Sequence, residues 1–94
     1  MATCIVEIVG GETYRYYPLG EYVVRAEGVC GGRPTFKYTR IEITGTLERL
    51  AMGENLESLV KGYRGRVSVE AISEAFRLVT THFLNSLPTL EVAK

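Results

Sequence analysis

Ninety-four residues with eleven basic and eleven acidic side chains carry no formal net charge. Coating nucleic acid by bulk electrostatics is thereby excluded, because such binding scales with the number of phosphates neutralised. Hydrophobic residues at 46% and charged residues at 23% describe one ordinary globular domain, neither a disordered segment nor two separate cores.

In chain order, Cys4 to Val9 (CIVEIV) is rich in β-branched residues and too short for a helix, which predicts a strand. Gly10-Gly11 supplies a turn and Thr13 to Tyr17 (TYRYY) a second strand closed by Pro18, so the first segment reads as a β-hairpin. Tyr22 to Ala26 is a third strand, and Thr35 to Tyr38 and Arg40 to Ile43 are two further short strands of a small sheet. Beyond Thr44 the apolar period changes from two to about 3.6. Leu47, Leu50 and Ala51 mark a first helix stopped by Gly53. Asn55 is placed to cap a second helix bearing Leu56, Leu59, Val60 and Tyr63. Gly62 and Gly65 mark a turn, and Ser68 caps a third, longer helix ended by Asn85 and Pro88. Its apolar stripe is expected at Val69, Ile72, Phe76, Val79 and Phe83, facing the core.

The expected architecture is therefore a single α+β domain over residues 1–94. It comprises an N-terminal β-hairpin extension (1–21), short strands with a motif loop (22–43), and a three-helix helix-turn-helix core (44–86) of the homeodomain-like or winged type. No apolar run nears the roughly 18 residues of a membrane span and no signal-like start precedes the hairpin, so a cytoplasmic location is expected. Cys4 and Cys30 form no CxxC or Cys/His arrangement. Two reduced thiols are the plain expectation, a Cys4–Cys30 disulfide is the alternative, and a zinc site lacks the ligand spacing.

Charge is unevenly placed. Arg33, Lys37 and Arg40 form one run of three cations, and Lys61, Arg64 and Arg66 another. The second lies where a helix-turn-helix protein meets the phosphate backbone, although a solvated turn looks the same in sequence. Ser68, Ser73 and Arg77 would complete a DNA-reading surface on the third helix, opposed by Glu70 and Glu74, which read as exposed carboxylates on the same surface. Tyrosines crowd the first hairpin, and its edge strand requires pairing, which points to a homodimer interface at Ile5, Glu7, Tyr14 and Tyr16. His82 has no neighbouring nucleophile, and no GxGxxG or GKS/T loop is present, so no catalytic residue, metal or cofactor is expected.

The run VCGGRPTFKYTRI, followed by the LERLAMGENLESLV helix pair, Tyr63 and SVEAISEAF, resembles a family catalogued as domain of unknown function 433. The likeness spans roughly Tyr22 to Asn85. That resemblance implies a VapB-type antitoxin, non-enzymatic, that neutralises a PIN-like ribonuclease toxin and binds operator DNA for autoregulation. Thr39 and Arg40 fall on its T-R-I motif, where Arg40 either braces the sheet against Glu42 or the first helix, or contacts a partner; Arg33 and Lys37 belong to the same motif loop. The chain departs from the pattern at Tyr38, where the family has glycine, at Arg64 in place of proline and at Ala71 in place of aspartate. A tyrosine at 38 is expected to resist positive φ. The alternative function is a protein-interaction adaptor that keeps the helical core without binding DNA.

Overall fold

A computed structural model describes residues 3–88. Four antiparallel strands in the order β1-β2-β3-β4 are followed by three helices, an α+β fold. Strands β1 (Ile5–Val9) and β2 (Glu12–Pro18) pair in register from Ile5↔Tyr16 to Val9↔Glu12. The two-residue turn between them has both glycines at positive φ, Gly10 at 58° and Gly11 at 82°. That geometry matches the strand twist and is the reason the hairpin closes where the glycine pair stands. Strand β3 (Val23–Ala26) pairs with β2 and with β4 (Thr35–Phe36).

The expected strand at Arg40 to Ile43 is not formed. Only a single bridge, Thr35↔Glu42, continues the ladder. The chain turns instead at Tyr38, whose φ is 65°, and the buried Thr39 hydroxyl holds the turn. It donates to the Phe36 carbonyl at 2.8 Å and accepts from the Ile41 amide at 3.0 Å. Ile43 then opens α1 (Ile43–Ala51), one residue ahead of the expected boundary.

Helix α2 (Leu56–Gly62) and helix α3 (Val69–Ser86) begin where the sequence places their caps. The Asn55 carbonyl oxygen accepts from the amides of Glu57 and Ser58, at 2.8 and 3.2 Å, and the Ser68 hydroxyl accepts from Ala71 at 3.1 Å. Each bond satisfies an amide that the first helical turn leaves without a partner.

Strand β3 sends apolar side chains to both faces of the sheet, and only Arg25 of its four residues is exposed. Val23 joins Phe36, Ile43, Leu59, Val67, Ala71, Ile72 and Ala75 in the main core, under the helices. Val24 and Ala26 face the other way and pack with Tyr16, Tyr14 and Val29. The stripe expected to bury α3 is displaced. Ile72 is buried, but Val69, Phe76, Val79 and Phe83 are exposed, and the helix packs instead through Ala71, Ile72 and Ala75. Small alanines let the helix approach the sheet closely, and that contact decides which face turns inward.

The Cα radius of gyration is 15.7 Å, with principal extents of 63 × 35 × 21 Å. A compact chain of this length has a radius near 12 Å, so the molecule is elongated. Among the described residues no helix is long and apolar enough to cross a membrane.

Candidate nucleic-acid interface

The connection from α2 to α3 is anchored at both ends. Val67 is buried in the core, and the half-buried Tyr63 bonds through its hydroxyl to the Thr46 hydroxyl at 2.8 Å. Arg64 and Arg66, between these anchors, are exposed, as is Lys61 on the last turn of α2. None of the three forms an ion pair among the described residues, whose bridges are Arg33–Glu42 and Arg49–Glu54. Arg64 adopts φ 55° and Gly65 φ 77°. A left-handed arginine followed by a left-handed glycine makes the tight reversal between the two arginines.

The two cationic runs separate sharply in what their side chains do. Arg33 is committed to Glu42 in a two-pronged contact, Nε to Oε1 at 2.8 Å and Nη2 to Oε2 at 3.2 Å. This hydrogen-bonded pairing raises the Arg33 pKa and lowers that of Glu42. The bracing role entertained for Arg40 therefore belongs to Arg33. Lys37 places its ammonium 5.0 Å from the ring centres of both Tyr16 and Tyr38, and the Tyr16 hydroxyl, ahead of Tyr38, holds its pKa above the ordinary value. Thr39 is consumed by the turn it stabilises. Arg40 alone of that run is exposed with its side chain uncommitted, while its carbonyl accepts from the Cys30 thiol at 3.3 Å. Arg40 and Arg66 line one shallow concavity together with Tyr14, Tyr38, Glu12 and Glu27. The two runs, 26 residues apart at these positions in the chain, thus meet through one arginine each.

On α3, Arg77 is exposed and Ser73 half-buried, whereas the Ser68 hydroxyl is occupied by its cap. Glu70 is exposed as expected. Glu74 is not part of that surface. Its carboxylate turns under the helix and accepts from three consecutive amides, Glu21 at 2.8 Å, Tyr22 at 2.7 Å and Val23 at 3.0 Å. The bend before β3 accommodates it because residue 20 is glycine; a Cβ there would lie 2.5 Å from the Glu74 Oε1. One of the two carboxylates expected to repel phosphate is therefore withdrawn into the fold.

Of the residues expected at a dimer interface, Tyr16 is buried, Glu7 and Tyr14 are half-buried and Ile5 is exposed. Tyr16 is 2% exposed, and its hydroxyl donates to Glu7 at 3.2 Å. The Tyr38 hydroxyl donates to the other Glu7 oxygen at 2.8 Å, and the Tyr38 amide donates to the Tyr14 hydroxyl at 2.9 Å. The three rings lie 5.0 to 6.5 Å apart, typical of stacked and edge-on aromatic pairs. Glu7, Tyr14 and Tyr16 thus fasten the hairpin to the motif loop, and Ile5 alone of the four remains at the surface. Tyr38 carries this joint, which explains how a non-glycine residue is held at positive φ. Cys4 and Cys30 are both free thiols and half-buried. His82 lies beside Leu78 and Val79 along an open, mainly apolar groove between α3 and the loop at residues 31–34. No group of acidic, histidine and cysteine side chains suited to a metal occurs among the described residues.

The geometry defines an α+β protein with a sheet-braced trio of helices and an exposed cationic turn between the last two. The chain belongs to the family described as "Protein of unknown function (DUF433)", whose model matches residues 23–78. The match covers β3 through most of α3 and leaves the β1–β2 hairpin outside it. No curated protein and no solved structure matches the chain.

Proposed function

We propose that this protein is an antitoxin-like regulator that binds operator DNA through the α2–α3 turn and neutralises a PIN-like ribonuclease toxin. The observation that carries the DNA half is the anchored turn, in which Tyr63 and Val67 bracket the exposed, unpaired Arg64 and Arg66 next to the exposed Lys61 at the end of α2. Arg40 extends the cationic surface on the side of Arg66. Withdrawal of Glu74 removes one source of repulsion and leaves Glu70 as the acid nearest the expected reading face. The toxin half rests on the resemblance of the motif loop and helix pair to VapB-type antitoxins.

Binding of the purified protein to its upstream DNA over a series of salt concentrations tests the first half. Three phosphate contacts give a log–log slope of roughly −2.7 per protomer. Joint replacement of Lys61, Arg64 and Arg66 by alanine is expected to remove that slope while leaving the fold intact, since none contacts the core. Co-purification with the product of the adjacent gene tests the second half. A flat salt response in the parent protein would instead favour an adaptor without DNA binding. Glu70, and the presence of Glu12 and Glu27 beside Arg40 and Arg66, are the features that support that second reading.

A further inference from the structure

Helix α3 carries an apolar seam that the fold leaves uncovered. Val69, Phe76, Val79 and Phe83 are 45, 45, 47 and 60% exposed. Val69, Phe76 and Phe83 recur every seven residues with Val79 between the last two, so they line one side of the helix rather than scattering over it, while Ile72 on that side is already turned into the core. We propose that this seam is the contact between two copies of the chain, with their α3 helices packed antiparallel about a twofold axis at Phe76.

Three features select a second copy as the occupant. The rows beside the seam carry Ser73 and Thr80 on the solvent side and His82 with the buried Ala75 on the other, and the exposed Glu70 and Arg77, of opposite sign, stand one row further out. Like surfaces therefore meet without like-charge repulsion, as a twofold interface requires. The apolar area that Val69, Phe76, Val79, Phe83 and the exposed Leu87 offer is roughly 400 Å² per copy, and with the flanking Ser73, Thr80 and His82 the pair buries about 1,000 Å², close to the lower bound for a specific interface. The direction follows from charge. A parallel pair would bring the two Lys61, Arg64 and Arg66 turns together, whereas an antiparallel pair sets them at opposite ends of an 18-residue helix, roughly 27 Å apart. Val69 of each copy then faces Phe83 of the other. The inference is independent of whether those turns bind DNA.

Light scattering and sedimentation on the full chain at micromolar concentration decide the matter. The parent protein is expected to run as a dimer, and Phe76→Glu to halve the apparent mass with an unchanged circular dichroism spectrum. Should Phe76→Glu disturb the fold, Phe83→Ser makes the same test at a more exposed position. Replacing Val6 and Ile8 by lysine on the outer strand β1 is expected to leave the dimer intact. Oxidation should cross-link Phe76→Cys copies through the axis but not Phe83→Cys copies, whose cysteines lie apart. A monomeric parent protein would overturn the proposal and leave the seam to a different partner. So would a dimer that survives the α3 variants but is lost with the β1 variant, or one that cross-links equally through position 83.

Discussion

Glu74 and the glycine opposite it act as one unit. Its carboxylate accepts from the amides of residues 21 to 23, and Gly20 leaves the space in which it sits. Glu74→Ala leaves three amides without their partner, a loss of about 2 kcal/mol, or roughly 10 °C in Tm for a chain of this length. Gly20→Ala is expected to displace the carboxylate and reach a similar value. The double variant should fall well short of the sum, because both changes break the same contact; thermal unfolding of the three variants checks this. Arg64 is a residue of the opposite kind, held at φ 55° with its side chain unpaired. Left-handed backbone costs a non-glycine residue about 1 kcal/mol, so Arg64→Gly is expected to raise the midpoint of denaturation while weakening any salt-dependent DNA binding. The sequence makes these two residues difficult to read. Glu74 bonds to amides 51 to 53 positions away, and no local pattern announces that. A spacing of four from Glu70 suggests only a shared helix surface. The tyrosine at 38 was expected to resist positive φ, but its hydroxyl, ring and amide each find a partner, and together they offset the backbone cost.

Helix starts were legible because capping is a local event. Asn55 and Ser68 stand next to the amides they satisfy, so their roles follow from neighbours in the chain. Ser68→Ala should lower stability by about 1 kcal/mol, and it should do so with little change in the salt dependence of any DNA binding, since the hydroxyl is already engaged. Urea denaturation alongside binding titration separates the two effects. The hairpin was equally legible, as alternating residues around a glycine pair admit few other structures. The face of α3 was not. Hydrophobic spacing shows that a stripe exists but not which surface meets it, and Ala71 and Ala75, weak signals of burial by themselves, make the closer contact with the sheet. The strand expected after Arg40 failed for a related reason. Thr39 has a strand-like side chain but uses its hydroxyl to close a turn.

At the scale of the molecule, two cores share a single strand, and an elongated outline leaves apolar surface on α3 unburied. Composition alone could indicate one domain with enough apolar residues for a core. It could not show that Val24 and Ala26 would serve a second cluster behind the sheet. The acid stability of the whole chain should carry the imprint of its two arginine–carboxylate bridges. Hydrogen bonding to Arg33 lowers the Glu42 pKa, and hydrogen bonding to Arg49 lowers that of Glu54. Their stabilising effect is complete above the ordinary carboxylate range and is lost as pH falls through the depressed values. Thermal midpoints followed downward in pH are expected to drop less steeply in Glu42→Gln and Glu54→Gln, and the difference from the parent to shrink in high salt, as both bridges lie at the surface.

The amide clasp formed by Glu74 has a mechanical consequence. It sits in the second turn of a helix whose first turn follows the cationic loop and whose outer face bears the apolar seam. A tug on either one that rolls or lifts the helix must pull on the backbone entering β3, the strand common to both cores. Any load on one end of this rod would reach the sheet through three hydrogen bonds rather than through a pliable linker.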